Sequence, residues 1–181
     1  MTHDPGGKVR IPLPDHYAAT AVFGGPNNCY RYRLSRWWGS PDDGAVMFLL
    51  MNPSTAEERV DDPTVAKCRR YAMQWGYAGL LVGNVFAFRA TDQRRLASIV
   101  DPIGPDNAEH LLDMAREARL IVCAYGTPSH RALRHAGITT ARMLDGHGYR
   151  LHVLRLTGMG VPVHPLYLPG DITPQPWSPF R

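Results

Sequence analysis

One stretch, Ala45-Val46-Met47-Phe48-Leu49-Leu50-Met51, constrains this chain more than any other, and it breaks off abruptly at Asn52-Pro53-Ser54-Thr55. A strand wetted on one face alternates apolar and polar residues; an unbroken apolar run needs cover on both faces, the situation of a strand inside a parallel sheet. Parallel neighbours need crossover connections, so helices must follow. Asp62-Pro63-Thr64 supplies an N-cap and a proline at the first helical position. Val65, Cys68, Tyr71, Ala72 and Trp75 then recur on one face until Gly76. Downstream, Leu80 to Phe86 reads as a second buried strand, Asp106 to Arg119 as a helix, and Leu120 to Tyr125 as a third strand. Pro128 to Ala136 reads as a short helix and Tyr149 to Leu154 as a fourth strand. Ahead of all this, Thr20-Ala21-Val22-Phe23 and Tyr30-Arg31-Tyr32-Arg33-Leu34 flank the turn-rich Gly24-Gly25-Pro26-Asn27-Asn28, the pattern of an antiparallel hairpin. The expected fold is α/β: a three-layer sandwich around a central, mostly parallel sheet, entered through an N-terminal hairpin. With 181 residues and no internal repeat, one domain is expected, with 1–15 and 170–181 as peripheral tails.

Composition narrows the function classes. No apolar run approaches the roughly 20 residues of a membrane span, so no membrane association is expected. The first eight residues lack the apolar centre of a signal peptide, which makes the cytoplasm the expected compartment. Cys29, Cys68 and Cys123 lie far apart without a C-x-x-C pair, and are expected to be buried free thiols rather than disulfide or zinc ligands. The formal charge of +4 permits a polyanionic partner without demanding one. Of 20 basic residues only Lys8 and Lys67 are lysines. Arginine grips phosphate bidentately, although genomic base composition produces the same bias.

In open α/β sheets ligands bind outside the carboxyl ends of the strands. Asn52-Pro53-Ser54-Thr55, Phe88-Arg89-Ala90-Thr91-Asp92 and Gly126-Thr127 all follow such ends and should converge on one crevice. There is no G-x-S-x-G elbow, phosphate loop, dinucleotide fingerprint or His pair at metal spacing, so acyl transfer and nucleotide hydrolysis fall in rank and no metal or cofactor is expected. What remains is a set of amides and hydroxyls (Asn52, Ser54, Thr55, Asn84), acids (Asp61, Asp62, Asp92, Asp101), Arg89 and His164. Such groups suit the reading of a base edge and the orienting of water. Each also has a structural reading: Asn52-Pro53 as a turn or cap, Asn84 as a partner for backbone groups, His164 as a surface loop residue, and Asp61 and Asp62 as helix caps. Ser54 and Thr55 cap helices as readily as they hold phosphate, and Arg89 and Asp92 are well placed to pair with each other. Trp37, Trp38, Tyr71 and Trp75 read as core aromatics.

Phe48 to Ala56, Asn84 to Asp92, Asp101-Pro102-Ile103-Gly104-Pro105-Asp106-Asn107 and His164-Pro165-Leu166-Tyr167 resemble a bacterial domain family marked by an M-N-P-S-T-A signature, over nearly all of Ala18 to Pro169. That family in turn resembles the uracil-DNA glycosylase superfamily, whose motifs occur here in the same order. The resemblance implies a uracil-DNA glycosylase-like fold and a monofunctional enzyme that flips a damaged or modified base out of DNA and hydrolyses its N-glycosidic bond. It assigns the attacking water to Asn52; if a base is needed, Asp61 or Asp62 is the nearest acid in sequence, and Asp62 is taken as the catalytic one. His164 falls to the departing base, and Asn84, with Pro53 and Phe86, to base binding. Ser54, Thr55, Arg89, Pro165, Leu166 and Tyr167 become phosphate or wedge residues. DNA is then the expected partner, in repair or in defence against phage with modified bases, with no obligate protein partner. Hydrolysis of free nucleosides or nucleotides, and nucleic-acid binding without cleavage, are the alternatives.

Overall fold

A computed structural model describes residues 9–180. In chain order the elements are β1 (Ile11–Pro12), β2 (Ala18–Gly24), β3 (Tyr30–Trp37), β4 (Ala45–Leu50), β5 (Val60–Asp61), α1 (Pro63–Gln74), β6 (Gly79–Asn84), α2 (Asn107–Glu117), β7 (Leu120–Cys123), α3 (Ala136–Gly146), β8 (Leu151–Val153) and β9 (Gln175–Trp177). Seven strands form one sheet in the order β2-β3-β6-β4-β7-β8-β9, and β1 pairs with β5 in a small antiparallel sheet. Every residue of β4 and β6 is buried, as their apolar runs require.

Both faces of the sheet are covered. Val46, Phe48 and Leu50 of β4 pack with Val65, Cys68, Tyr71 and Ala72 of α1, while Met47 and Leu49 pack on the opposite side with Leu111 and Met114 of α2 and with Ala141 and Leu144 of α3. The three layers follow directly from that alternation. Gly83 explains how closely α2 approaches: a Cβ there would stand 2.5 Å from Leu111 Cδ2 and 2.8 Å from Met114 Cε.

Four expectations need correction. The sheet is mixed, because only β6-β4, β4-β7 and β7-β8 are parallel; the hairpin joins through an antiparallel β3–β6 ladder, and β9 closes the other edge antiparallel to β8. The third helix is Ala136–Gly146, whereas Pro128 to Ala136 holds only the short turn Arg131–Leu133; Gly137, Ala141 and Leu144 supply the buried stripe. The strand after Leu80 ends at Asn84, with Val85 and Phe86 continuing as loop. Finally, the two end segments are not merely peripheral, since β1 with Leu13 and β9 with Pro179 are built into the structure. Residues 1–8 and 181, which also fall in the expected tails, lie outside the described residues.

Cys29, Cys68 and Cys123 are free and buried, and burial pushes the Cys68 and Cys123 thiols up. Among the described residues no helix is long and apolar enough to cross a membrane, and no group of three or more His, Cys, Asp or Glu side chains could hold a metal ion.

Candidate functional site

The loops that leave β4, β6 and β7 are knitted together by their backbones. Val85 and Phe86 donate to the carbonyls of Leu50 (2.8 Å) and Met51 (2.9 Å), Ala90 donates to Pro53 (3.0 Å), and Ala124 to Leu49 (2.9 Å). The chain beyond β8 joins them where Gly126 donates to Pro162 (3.0 Å). Gly126 has φ +72°, and a Cβ there would stand 3.2 Å from His164 Cβ, so glycine both turns the chain and lets His164 close in. Helix α1 holds this last segment from the other side. Lys67, Tyr71 and Trp75, at successive helical turns, donate to the carbonyls of Leu168, Pro169 (2.6 Å) and Ile172 (3.2 Å).

The result is a cleft of about 440 Å³ at the carboxyl ends of the parallel strands, lined among others by Asn52, Ser54, Asp62, Asn84, His164, Leu166 and Tyr167. The structure therefore brings together residues far apart in the chain. Asn52 Nδ2 donates to the carbonyls of Pro53 (2.9 Å) and Ala90 (2.7 Å), which fixes the amide and leaves Oδ1 as its acceptor. Asp62 caps α1 through Oδ1, which accepts from Val65 N–H at 2.9 Å, so the expected cap exists and one carboxylate oxygen is left for the cleft. His164 Nδ1 accepts from Leu166 N–H at 3.4 Å, which puts the ring proton on Nε2. Burial holds the imidazole below its ordinary value, against the opposing pull of Asp62, so it is neutral at neutral pH. Asn107 Nδ2 donates to the carbonyls of Asn84 and Val85 and pins the end of β6.

Other predicted residues lie elsewhere. Phe86 is in the core with α2, and Pro53, Thr55 and Pro165 are buried outside the lining. Arg89 turns away to Glu57 (3.4 Å), the Asn28 carbonyl (3.3 Å) and the Phe23 ring, and Asp92 pairs with Arg94 rather than Arg89. Asp61 is wholly buried and binds the Nε atoms of Arg36 and Arg69, both at 2.9 Å, which removes it as a candidate base. Leu166 and Tyr167 stand exposed at the rim, 45% and 82% accessible.

Arg31 and Tyr125 line the cleft and were not singled out by sequence. Arg31 lies in an alternating strand, Tyr-Arg-Tyr-Arg, where arginine ordinarily faces water; it is buried because the chain after β4 folds over it, Nη1 donating to the Ala56 carbonyl and Nη2 to Asn84 Oδ1. Nothing local in the sequence announces this.

A mixed, doubly covered sheet with a polar cleft at its parallel strand ends defines an α/β protein whose candidate site lies where open α/β sheets hold their ligands. The chain belongs to the family described as "Protein of unknown function (DUF1643)", whose profile matches residues 31–166. Neither a curated protein nor a solved structure matches it.

Proposed function

We propose that this chain is a uracil-DNA glycosylase-like enzyme, a monofunctional DNA glycosylase that hydrolyses the N-glycosidic bond of a damaged or modified base without a metal. One observation carries the reading: Asn52, Asn84 and His164, named from separate motifs, line a single cleft together with Asp62. In the reaction a water held by Asn52 Oδ1 attacks the anomeric carbon, and the base leaves with the bonding electrons. Asp62 accepts the water's proton, and His164 Nε2–H donates to the base as negative charge gathers on it. The proton then passes to the released base. A neutral imidazole keeps its donor without adding a charge that burial disfavours.

Two surface features favour DNA over a free nucleoside as the substrate. Leu166 and Tyr167 are exposed apolar groups at the cleft mouth, suited to fill the gap left by a flipped nucleotide. The turns Gln93–Ser98 and Arg131–Leu133 pack together beside the cleft, and Arg131 and Arg134, at the start and just past the end of the second turn, are exposed to meet phosphates. The deciding experiment incubates the protein with single- and double-stranded oligonucleotides carrying deaminated, oxidised and hypermodified bases. Released base is read by mass spectrometry and abasic sites by alkali cleavage. Release from at least one DNA is expected; release from nucleosides alone would make the enzyme a nucleoside hydrolase, and release from neither would overturn hydrolysis.

A further inference from the structure

The cleft contains more unpartnered donors than its proposed chemistry uses. Arg31 is 2% exposed and Asn84 1%, both line the cleft, and Arg31 Nε and Asn84 Nδ2 have no hydrogen-bond partner; Tyr125, also lining it, has an unpartnered hydroxyl. Leaving buried donors unmade is costly, so a ligand that satisfies them is the natural complement. The orientation of the pair is set internally. Arg31 Nη1 donates to the Ala56 carbonyl at 2.8 Å, and Nη2 donates to Asn84 Oδ1 at 3.3 Å. Rotating the Asn84 amide would turn its NH2 onto a guanidinium, donor against donor, so Asn84 is locked with its NH2 as the free group. Nε and Nη2 share one edge of the planar guanidinium, and Nη2 is committed to Asn84. The free Nε–H thus sits on the guanidinium beside the nitrogen that holds Asn84, whose NH2 is also free, and both residues line the cleft. Burial lowers the Arg31 pKa to about 10, with Asp62 opposing, so the group stays cationic at neutral pH.

We infer that Arg31 is the specificity-determining residue of this cleft, and that with Asn84 it presents a donor-only pair to a 6-oxopurine, meeting the adjacent acceptors O6 and N7. This rests on the reading of the cleft as a base pocket. Adenine presents an amine beside N7 and meets the pair with a donor, and uracil places N3–H between its two oxygens. An Asn84 free to flip could serve either; one locked by Arg31 cannot.

The test is calorimetric titration of the full chain with inosine, 7-deazainosine, adenosine and cytidine. Inosine should bind about tenfold or more tighter than adenosine, and 7-deazainosine should lose a similar factor, since a good two-point contact to a base edge is worth that much. Arg31→Gln should bring inosine and adenosine close to equal, because it frees the Asn84 amide. If that buried variant does not fold, the unaltered chain still decides, since only the ligand changes across the series. Equal binding of inosine and adenosine, binding of neither, or 7-deazainosine matching inosine would overturn the inference; so would cytidine, whose O2 and N3 are also adjacent acceptors, binding more tightly than inosine. The base-release assay is independent. Inosine selectivity without released base keeps the donor pair and sinks the glycosylase, whereas release of base with no oxopurine preference does the reverse.

Discussion

Asn52 reaches the cleft with its hydrogen-bonding capacity already divided: two backbone carbonyls hold its NH2 and leave the oxygen for water. Asn52→Ala should therefore abolish base release in single-turnover assays, by about a hundredfold or more, while oligonucleotide binding stays near that of the unaltered chain, because an oriented water matters to the transition state and little to the ground state. A variant with undiminished release would remove Asn52 from the mechanism. Asp61 illustrates the opposite fate of a polar residue. Arg36 is completely buried and depends on Asp61 for its charge partner, so Asp61→Asn should destabilise the fold by about 3–5 kcal/mol in denaturant titration, the penalty of an uncompensated buried cation. A loss below about 1 kcal/mol, the ordinary worth of an exposed ion pair, would show that the pair is solvated.

Elements act on the site at a distance. Helix α2 is seated against β6 at Gly83, and Val in that position would drive its side chain into Leu111 and Met114, for an expected loss of about 1–3 kcal/mol by thermal denaturation, the usual price of overpacking. No change in melting temperature would mean that α2 yields freely. Helix α1 serves both ends of the cleft, carrying Asp62 at its start and anchoring the His164 segment through Lys67, Tyr71 and Trp75. Tyr71 and Trp75 are core aromatics, as their spacing implies, and their polar tips also hold the loop that delivers His164.

Across the whole molecule, the depressed pKa values of His152 and His164 link folding to pH. The unfolded chain takes up protons near the ordinary histidine value of about 6.5, where the folded chain resists them. Stability contributed by these groups is thus present above that value and lost as the pH falls through it toward their folded values. Melting temperature should drop between pH 7.5 and 5.5, and His152→Asn with His164→Asn should flatten the slope over that window; an unchanged slope would place the titration elsewhere. DNA affinity should fall steeply between about 50 and 200 mM salt, as counterions released by arginine dominate binding to phosphate. Replacing both Arg131 and Arg134 by Glu should weaken binding and reduce that salt dependence, measured by fluorescence anisotropy, with no effect expected on the affinity for nucleosides.

The sequence by itself determined the layered architecture and the location of the cleft, because an unbroken apolar run has few ways to be buried and Asn-Pro ends it abruptly. The N-cap of α1, with Asp62 and Pro63 where the pattern puts them, was equally local. Tertiary structure alone decided which polar residues face the cleft. Arg31 and Arg36 are buried because the chain between β4 and α1 folds over β3 and offers them the carbonyls of Ala56 and Glu57, and Asp61 is spent on two arginines that no local pattern ties to it. The N-terminal antiparallel hairpin was legible, but the opposite antiparallel edge was hidden: a strand as short as Gln175–Trp177 carries no periodicity, and it pairs with β8 only in the folded chain.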